Sequence, residues 1–267
     1  MNVARLTFRQ TGGLDLGSGA GNMELAQLEV RSLLSRPIEL ANDWLMVPLA
    51  ECTLTTLDMS KSPAAFPLHD EDLYSLGLSA FAVHLSEDSP WVYGAWARGE
   101  LATDFRHVSS EAFTFDLAAG GGYRFNNHFA LGFGAAVFNL NGHVSCYPGI
   151  GFDWVVSDAL RIGLYGPSFV AAYTISQDCK LSLRAKAGGG IWTVNDASGN
   201  PRALDLTIYQ IGAYAEHRLT GKLWLTAGLG ACVGNHLAYT TVSGSTLYER
   251  APEAGVFGQI GVEFKMW

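Results

Sequence analysis

Residues 209–234 read Tyr209-Gln-Ile-Gly-Ala-Tyr-Ala-Glu-His-Arg-Leu-Thr-Gly-Lys-Leu-Trp-Leu-Thr-Ala-Gly-Leu-Gly-Ala-Cys-Val-Gly234, two alternating segments around a short polar turn. In the second segment the odd positions 223–233 are all apolar, and the even positions 222–232 are small, polar or charged except for Trp224. Successive side chains of a β-strand point to opposite faces, so one face of this strand is apolar and the other is not. A soluble β-sandwich shows the same alternation, so the hairpin by itself indicates only an antiparallel sheet.

The alternation recurs through most of the chain, in about fourteen segments, or about twelve if the first segment and the region of Gly166 are not strands. Most segments last about 9 to 13 residues, the length that a tilted strand needs to cross a bilayer. Their connections alternate in length. Tight turns follow Tyr123, Val155, Ser176 and His217, and longer or glycine-rich connections follow Asp58, Arg98, Phe138, Trp192 and Gly234.

This separation of short turns from long loops is typical of an up-and-down barrel through a membrane, whereas a soluble Greek key has no reason for it. We therefore predict an all-β fold, a transmembrane up-and-down antiparallel β-barrel of about 12 to 14 strands. Residues 1–267 are expected to form a single domain, whose residues 1–22 are a weakly patterned first strand and loop. A water-soluble β-barrel or sandwich is the rival fold, and solubility without detergent would decide for it.

The composition excludes several classes of protein. Hydrophobic residues make up 48% of the chain and the mean hydropathy is +0.14, yet no apolar run of about 18 residues exists to form a transmembrane helix. A net charge of -8 gives no basic surface for nucleic acid. The amino terminus lacks the features of a signal peptide, which indicates a cytosolic protein or a mature form with an added Met. The four cysteines form no CxxC or Cys/His cluster, so neither metal nor cofactor is expected, and their disulfide status stays open.

Tryptophan and proline positions agree with a barrel. Five tryptophans fall at predicted strand ends beside the short turns, where an aromatic girdle would sit, although two of them share the polar parity. These five are Trp44, Trp91, Trp154, Trp224 and Trp267, of which Trp224 and Trp267 have the polar parity. Seven of the nine prolines lie in predicted connections, and only Pro48 and Pro148 interrupt predicted strands.

The chain resembles bacterial outer-membrane β-barrel proteins over about residues 23–267. The clearest features are the hairpins Tyr123–Leu131 and Tyr214–Leu225 and the aromatic ending Gly258-Gln-Ile-Gly-Val-Glu-Phe-Lys-Met-Trp267. The resemblance implies an outer-membrane location, a signal sequence absent from this chain, and short turns that face the periplasm. It also implies two partners, membrane lipid and the barrel-assembly machinery, which in this family reads the last aromatic residue. Here Met266 ends the apolar parity and Trp267 falls on the other.

If the apolar parity faces lipid, the other parity lines the lumen. The predicted lumen-lining residues are Arg98, Glu100, Asp116, Arg124, Asp153, Arg161, Arg184, Lys186, Gln210, Glu216, Gln259 and Glu263. One interpretation is a pore for small polar or anionic solutes, in which Arg184 and Lys186 favour anions. The alternative is an interior filled by ion pairs, because charges removed from water need partners. Such a barrel would be structural or would present residues 60–72 and 235–252 to a partner.

A catalytic role is not expected. His143-Val-Ser145 superficially resembles the His-x-Ser of an outer-membrane phospholipase, and a base and a nucleophile two residues apart would share one face of a strand. However, Cys146-Tyr147 follows where that family has Asn-Gly, and both side chains have the lumen parity, away from lipid. The triplets at 120–122 and 188–190 neither open a helix nor precede Lys-Ser/Thr, so they do not predict a phosphate loop. A lipid hydrolase is therefore the most remote alternative.

Overall fold

The computed structural model describes residues 2–17, 21–40, 43–60, 68, 70–86, 89–106, 108–140, 143–196 and 198–265, with Asn2, Asn139, Leu140 and His143 described by their backbone only. Sixteen β-strands lie in this part of the chain. They are β1 (Asn2–Asp15), β2 (Asn22–Leu33), β3 (Ile38–Glu39), β4 (Trp44–Met59), β5 (Glu71–Leu85), β6 (Trp91–Thr103), β7 (Phe113–Arg124), β8 (Phe129–Leu140), β9 (His143–Val155), β10 (Leu160–Tyr165), β11 (Ser168–Ser176), β12 (Cys179–Asn195), β13 (Pro201–Thr220), β14 (Leu223–Thr241), β15 (Thr246–Arg250) and β16 (Gly255–Lys265). One 3-10 turn, Ser110–Ala112, precedes β7.

Fourteen of these strands form a closed antiparallel barrel. Each pairs with its neighbour along the chain, and β1 pairs with β16 to close the sheet. The two short strands, β3 and β15, pair with β4 and β14 respectively. No helix within the described ranges has the length and apolar character to cross a membrane. The predicted all-β, up-and-down antiparallel barrel is confirmed.

The two faces of the wall differ as the alternation predicts. Large apolar side chains point outward all round the barrel, and Leu78, Phe133 and Leu229 keep 62%, 61% and 71% of their surface exposed. Such a belt of exposed apolar surface is unfavourable in water and suits the hydrocarbon core of a bilayer. The outer face is therefore that of an outer-membrane barrel.

The two ends of the barrel differ in their connections. At one end β7 to β14 are joined by residues 125–128, 156–159, 177–178 and 221–222, and the strands β1 and β16 also begin and end there. The predicted turn at His217 lies four residues further on, at Gly221, which has a φ of 47°. The segregation of short turns at this end agrees with the sequence prediction.

Several predicted loops at the opposite end are wrong in their bounds. Only residues 141 and 142 separate β8 from β9, residues 196–200 separate β12 from β13, and the expected loop at 235–252 is largely the end of β14 together with β15. Residues 61–67 and 69 of the predicted loop 60–72 lie outside the described residues. The long connections are shorter because β12, β13 and β14 run 17, 20 and 19 residues, well beyond the span of a bilayer.

Strand length varies more than predicted. β10 has only 6 residues, since Gly166 with a φ of 59° and Pro167 turn the chain back early. The first strand, whose pattern in the sequence is weak, is longer than expected, since β1 has 14 residues and pairs along both of its edges. The wall is consequently tall at β12 to β14 and low at β10 and β11.

An aromatic cluster marks the short-turn end on the outer face. The Trp91 ring stacks on Tyr93 at 6.3 Å between centroids and meets the edge of Tyr123 at 5.0 Å, and Tyr123 in turn meets Phe125 at 5.0 Å. This arrangement is that of an interfacial girdle. Trp224 is an exception, because it is buried inside the barrel, and Trp267 lies outside the described residues.

A hydrophobic core fills the lumen at the long-loop end. Its largest members are almost fully buried, and they come from strands all round the tall side of the barrel. They include Leu14, Met23, Leu25, Leu57, Leu73, Trp192, Leu204, Ile208, Leu237 and Tyr239. The indole N–H of Trp192 donates to Ser75 Oγ at 3.1 Å, so β12 reaches across to β5. This core therefore occupies the upper lumen on the tall side of the barrel.

Candidate functional site: the barrel lumen

Strand register places the twelve sequence-predicted lumen residues on the inward parity of their strands. They fall into separate groups rather than one site. Glu216 and Glu263 lie with Arg184 near the short-turn end, Arg98 lies with Glu100 and Asp116, and Asp153 lies with Arg161.

The first group is an ion-pair network across the seam of the barrel. Glu216 accepts from Lys265 at 2.6 Å and also pairs with Arg184. Lys265 lies 3.4 Å from Glu263, which lies 3.5 Å from Arg5. Because each charge here has an opposite partner, the network stabilises the barrel closure rather than leaving free charge in the lumen.

A buried polar layer lies above this network. Arg9 donates to Gln27 Oε1 at 3.0 Å and to Gln259 Oε1 at 2.9 Å, and Gln27 donates to Thr55 Oγ1 at 3.2 Å. Arg9 is a lumen residue that was not predicted from the sequence. Its signal was the run Arg-Leu-Thr-Phe-Arg-Gln-Thr at 5–11, whose odd positions are all polar.

Arg98 is the centre of the second group. Its guanidinium lies 2.8 Å from Glu100 and 3.5 Å from Glu51, and Asp116 is its register partner on β7. Glu51 also pairs with Arg31. Sequence reasoning missed Glu51, because both parities of β4 carry apolar residues.

The third group lies on the low side of the barrel. Arg161 Nε donates to Asp153 Oδ1 at 2.7 Å, and the Tyr165 hydroxyl donates to the same oxygen at 3.1 Å. Arg161 and Tyr165 are both exposed although they point inward. Water therefore reaches the lumen face of β10.

Three predicted lumen residues, Lys186, Arg124 and Gln210, lie outside these groups. Among the described residues Lys186 has no ion-pair partner, in contrast to its neighbour Arg184. Arg124 is exposed at the short-turn mouth. Gln210 is buried, and its side chain packs against Gly188 of β12.

Trp224 was predicted to point inward, and it does so beneath three cations. Its ring lies 4.3 Å from Lys265 Nζ, 5.1 Å from Arg218 Cζ and 5.5 Å from Lys180 Nζ. A buried indole face attracts such cations, and two of them, Lys265 and Arg218, also pair with carboxylates. The parity of Trp224 explains why it is absent from the outer girdle.

The middle of the inner face of β7, β8 and β9 carries mainly glycine and alanine. Its inward positions include Ala118, Gly120, Gly122, Gly132, Gly134, Ala136, Gly149 and Gly151. A methyl group added at Gly149 would meet no atom within 4 Å, so open space lies there. We call β7 to β11 the open wall, and β13, β14, β16, β1, β2 and β4, whose inward side chains are largely buried, the packed wall.

The open wall contains a notch. β9 pairs with β10 only from Gly151 to Val155, and β12 pairs with β11 only as far as Ala185. In the described part of the chain, no strand therefore separates residues 143–150 of β9 from residues 186–192 of β12. Further along, β12 stays paired with β13 as far as Asn195 but turns inward, where Thr193 forms a parallel bridge with Thr103 of β6.

The glycine triplet 188–190 lies where β12 begins to turn inward. It lies inside β12, and Gly189 has a φ of 99°. A Cβ there would lie 1.8 Å from the carbonyl oxygen of Leu206, so the bend requires glycine. The triplet shapes the barrel, as β-bulges and glycine kinks do in curved sheets.

The residues considered for catalysis do not form a described site. The side chain of His143 lies outside the described residues, and Ser145 points to the lumen. All four cysteines are free thiols, with Cys52 and Cys146 exposed. Within the ranges that the structure describes, no three His, Cys, Asp or Glu side chains converge to hold a metal ion.

Comparison with known proteins gives a family and a fold. A family model described as "Domain of unknown function (DUF6268)" matches residues 17–265. The solved structure of the COG4313 outer membrane channel from Pseudomonas putida F1 has a TM-score of 0.52 and 10% identity, covering 98% of this chain and 94% of that one. A Pseudomonas aeruginosa FadL homologue has a TM-score of 0.50 and 9% identity, covering 99% and 90%. No curated protein matches the sequence. These likenesses confirm the predicted outer-membrane barrel fold.

Proposed function

The chain belongs to the DUF6268 family, and from that premise we propose that it is a passive channel of the bacterial outer membrane for small polar or anionic solutes. The short turns face the periplasm and the long-loop end faces outward, with membrane lipid around the belt. The barrel-assembly machinery inserts the barrel into the membrane, and the pairing of β16 with β1 closes it. The resemblance to a solved outer membrane channel supports the proposal. Catalysis has no part in it.

The observation that carries the proposal is the open wall. An added Cβ at the inward position Gly149 would meet no atom within 4 Å, and Arg161 and Tyr165 are exposed to the lumen. Lys186 has the inward parity of β12 and no ion-pair partner among the described residues, and its charged neighbours are Arg9, Glu29, Arg5 and Arg184. A lumen lining in which cations outnumber carboxylates around Lys186 favours anions over cations.

Planar-bilayer recording of the refolded barrel tests the proposal. We expect conductance in chloride or phosphate salts, with a reversal potential that indicates anion preference. Lys186→Glu reverses the charge of the unpaired cation and should shift that potential towards cations. Lys222→Glu, in the exposed β13–β14 turn, is the matched control with a smaller shift. Absence of conductance at all potentials would overturn the channel.

A second candidate function is a barrel that transports no solute and presents its loops to a partner. The hydrophobic core around Trp192 and Tyr239 favours it, because this core takes up part of the upper lumen. Protease shaving of intact cells locates the exposed loops, and cleavage between residues 242 and 254 would support the proposed orientation. Shaving together with zero conductance would favour this second candidate.

A further inference from the structure

Four aromatic side chains face the lumen from β5, β6, β9 and β10. Phe81, Tyr147 and Tyr165 are 41%, 53% and 51% exposed, and Trp96 is half-buried. Strand register gives all four the inward parity, and none of them belongs to the hydrophobic core at the long-loop end. Large apolar side chains that stay exposed inside the barrel stabilise neither the core nor the contact with lipid. They therefore indicate a surface for a ligand.

Three of these rings belong to one row of register partners. Phe81 pairs with Trp96, and the row continues through Ala118 and Ala136 to Tyr147. Adjacent strands lie about 4.8 Å apart, so three strand spacings separate Trp96 from Tyr147 by about 14 Å along the wall. The next inward row towards the short turns consists of Gly94, Gly120, Gly134 and Gly149. We call this surface, with aromatic rings at both ends and alanine and glycine between them, the aromatic trough.

Two of the rings lie along the wall and do not project across the lumen. The ring of Phe81 comes within 3.5 Å of the position that a Cβ would take at Gly94, and the ring of Tyr165 comes within 2.5 Å of that position at Gly163. Because glycine has no side chain, each ring can fold back against the sheet at these points. The lumen beside the rings stays open to a solute.

Charged pairs border the aromatic trough towards both ends of the barrel. Towards the short turns, Arg161 and the Tyr165 hydroxyl both donate to Asp153. In the next inward row towards the long loops, Arg98 pairs with Glu100 at 2.8 Å. A guanidinium offers only donors and a carboxylate only acceptors, so each pair can receive and donate hydrogen bonds with a hydroxylated solute.

The charges along this side of the lumen are balanced. Strands β6 to β11 carry three arginines and three carboxylates, namely Arg98, Arg124, Arg161, Glu100, Asp116 and Asp153. This balance contrasts with the excess of cations around Lys186. A surface without net charge gives no electrostatic preference for an ion, so it suits an uncharged occupant.

We infer that the aromatic trough is a binding site for a neutral saccharide, whose ring lies against Trp96 or Tyr147 while its hydroxyl groups exchange hydrogen bonds with the bordering charged pairs. A pyranose ring has apolar C–H faces and a hydroxylated edge, which match an aromatic face and a charged pair respectively. A wholly apolar solute would remove water from the charged pairs without replacing its hydrogen bonds. The inference rests on the proposed channel and names the class of polar solute that it carries.

Calorimetric titration of the refolded barrel with neutral disaccharides tests the inference, because it measures binding whether or not the barrel conducts. The probes are maltose, sucrose and chitobiose, and the detergent is lauryldimethylamine oxide, which contains no sugar. We expect saturable binding of at least one disaccharide and none of sorbitol, an open-chain polyol without a ring face. In planar bilayers the same disaccharide should reduce the ion current with the same dissociation constant, since the occupied trough narrows the lumen.

Matched variants locate the site. Tyr147→Ala removes the ring at one end of the trough and should weaken disaccharide binding about fivefold, whereas Tyr147→Phe keeps the ring and should retain the affinity. Phe133→Ala is the matched control, since it removes an exposed aromatic ring from the lipid face of the neighbouring strand and should leave binding unchanged. Asp153→Asn takes a charged acceptor from the border of the trough and should also weaken binding. Circular dichroism confirms that each variant has folded.

Two results would overturn the inference. Equal disaccharide affinity in the wild type and in folded Tyr147→Ala would place the binding outside the trough. Absence of binding by all three disaccharides, whether or not benzyl alcohol binds, would show that the trough is not a saccharide site, while the channel stands if conductance persists. Disaccharide binding without any conductance would instead overturn the proposed channel and leave the binding site.

Discussion

The packed wall and the open wall have the same outer face and opposite inner faces. Leu229 on the packed wall and Phe133 on the open wall are both exposed apolar residues of the lipid belt. Inside, Gln259 and Tyr214 of the packed wall are buried, whereas the corresponding positions of β7 and β8 are glycines such as Gly120 and Gly134. The lipid requires an apolar outer face on every strand, whereas the lumen places no single requirement on the inner face.

The difference shows which part of the lumen is densely packed and which part is not. The packed wall combines a hydrophobic core at one end with paired charges at the other, so its inner surface resembles the interior of a soluble domain. The open wall lacks inward volume, is low at β10, and carries the notch. Any solute path must follow the open wall.

Loss of the largest core side chain should show the greatest contrast between the walls. Trp192→Ala removes an indole that is 1% exposed and its hydrogen bond to Ser75, so we expect a loss of about 3–5 kcal/mol. Tyr147→Ala, on the open wall, should cost less than about 1 kcal/mol. Guanidinium unfolding of the refolded barrels, followed by circular dichroism, measures both. Equal costs would contradict the division into two walls.

Charge removal should show a similar contrast. Glu216→Gln leaves Lys265 and Arg184 without their shared carboxylate in a largely buried site, at a cost of about 3 kcal/mol. Asp153→Asn breaks a more exposed pair with Arg161, worth less than about 1 kcal/mol. The same unfolding assay applies, and a double-mutant cycle with Lys265→Met isolates the coupling. If Asp153→Asn lowered the free energy of unfolding more than Glu216→Gln, the stabilising ion pairs would lie on the open wall, contrary to this prediction.

The bend in β12 should depend on a single glycine. Gly189→Ala places a methyl group at a φ of 99° against the Leu206 carbonyl, so we expect a loss of at least about 2 kcal/mol. Gly149→Ala enters open space at an ordinary φ and should be neutral or slightly stabilising. Unfolding midpoints provide the comparison. A tolerated Gly189 variant would mean that the notch does not need the bend.

The smallest expected effect lies in the loop between β12 and β13. The backbone N–H of Asn200 donates to Asp196 at 2.9 Å, and this bond, with help from Arg202, lowers the pKa of the Asp196 carboxyl. A lowered pKa means that the loop is stabilised above the unfolded value of about 3.9 and loses this contribution as the pH falls through the folded value. Amide hydrogen exchange of residues 198–200, corrected for intrinsic rates, should show protection lost only in acid. Asp196→Asn is the control, and an identical pH dependence in it would contradict the assignment.

Much of the barrel could be predicted from local pattern. The alternation from Leu223 to Val233 assigns its lipid face, because a strand has a period of two whatever it pairs with. The same parity places Glu216 and Trp224 inside. The first strand was underestimated, since Gln10 and the glycines at 12 and 13 weaken its outward pattern.

The partners of the lumen residues could not be predicted in the same way. Parity gives a face and says nothing about which strands approach across the lumen. The contacts of Glu216 with Lys265, and of Trp192 with Ser75, join residues 49 and 117 positions apart. Glu51 could not be predicted either, because its strand carries apolar residues at both parities.

The sequence by itself determined a lipid-facing antiparallel barrel with a polar inner parity, because strand alternation and turn chemistry are local properties. Only the tertiary structure decided that one wall is packed and the other open. The notch depends on three distant features, namely the early turn at Gly166, the bend at Gly189 and the bridge between Thr193 and Thr103. Their combined effect appears only when strand heights and registers are fixed together, since a gap in a sheet is a property of neighbouring strands and not of any one segment.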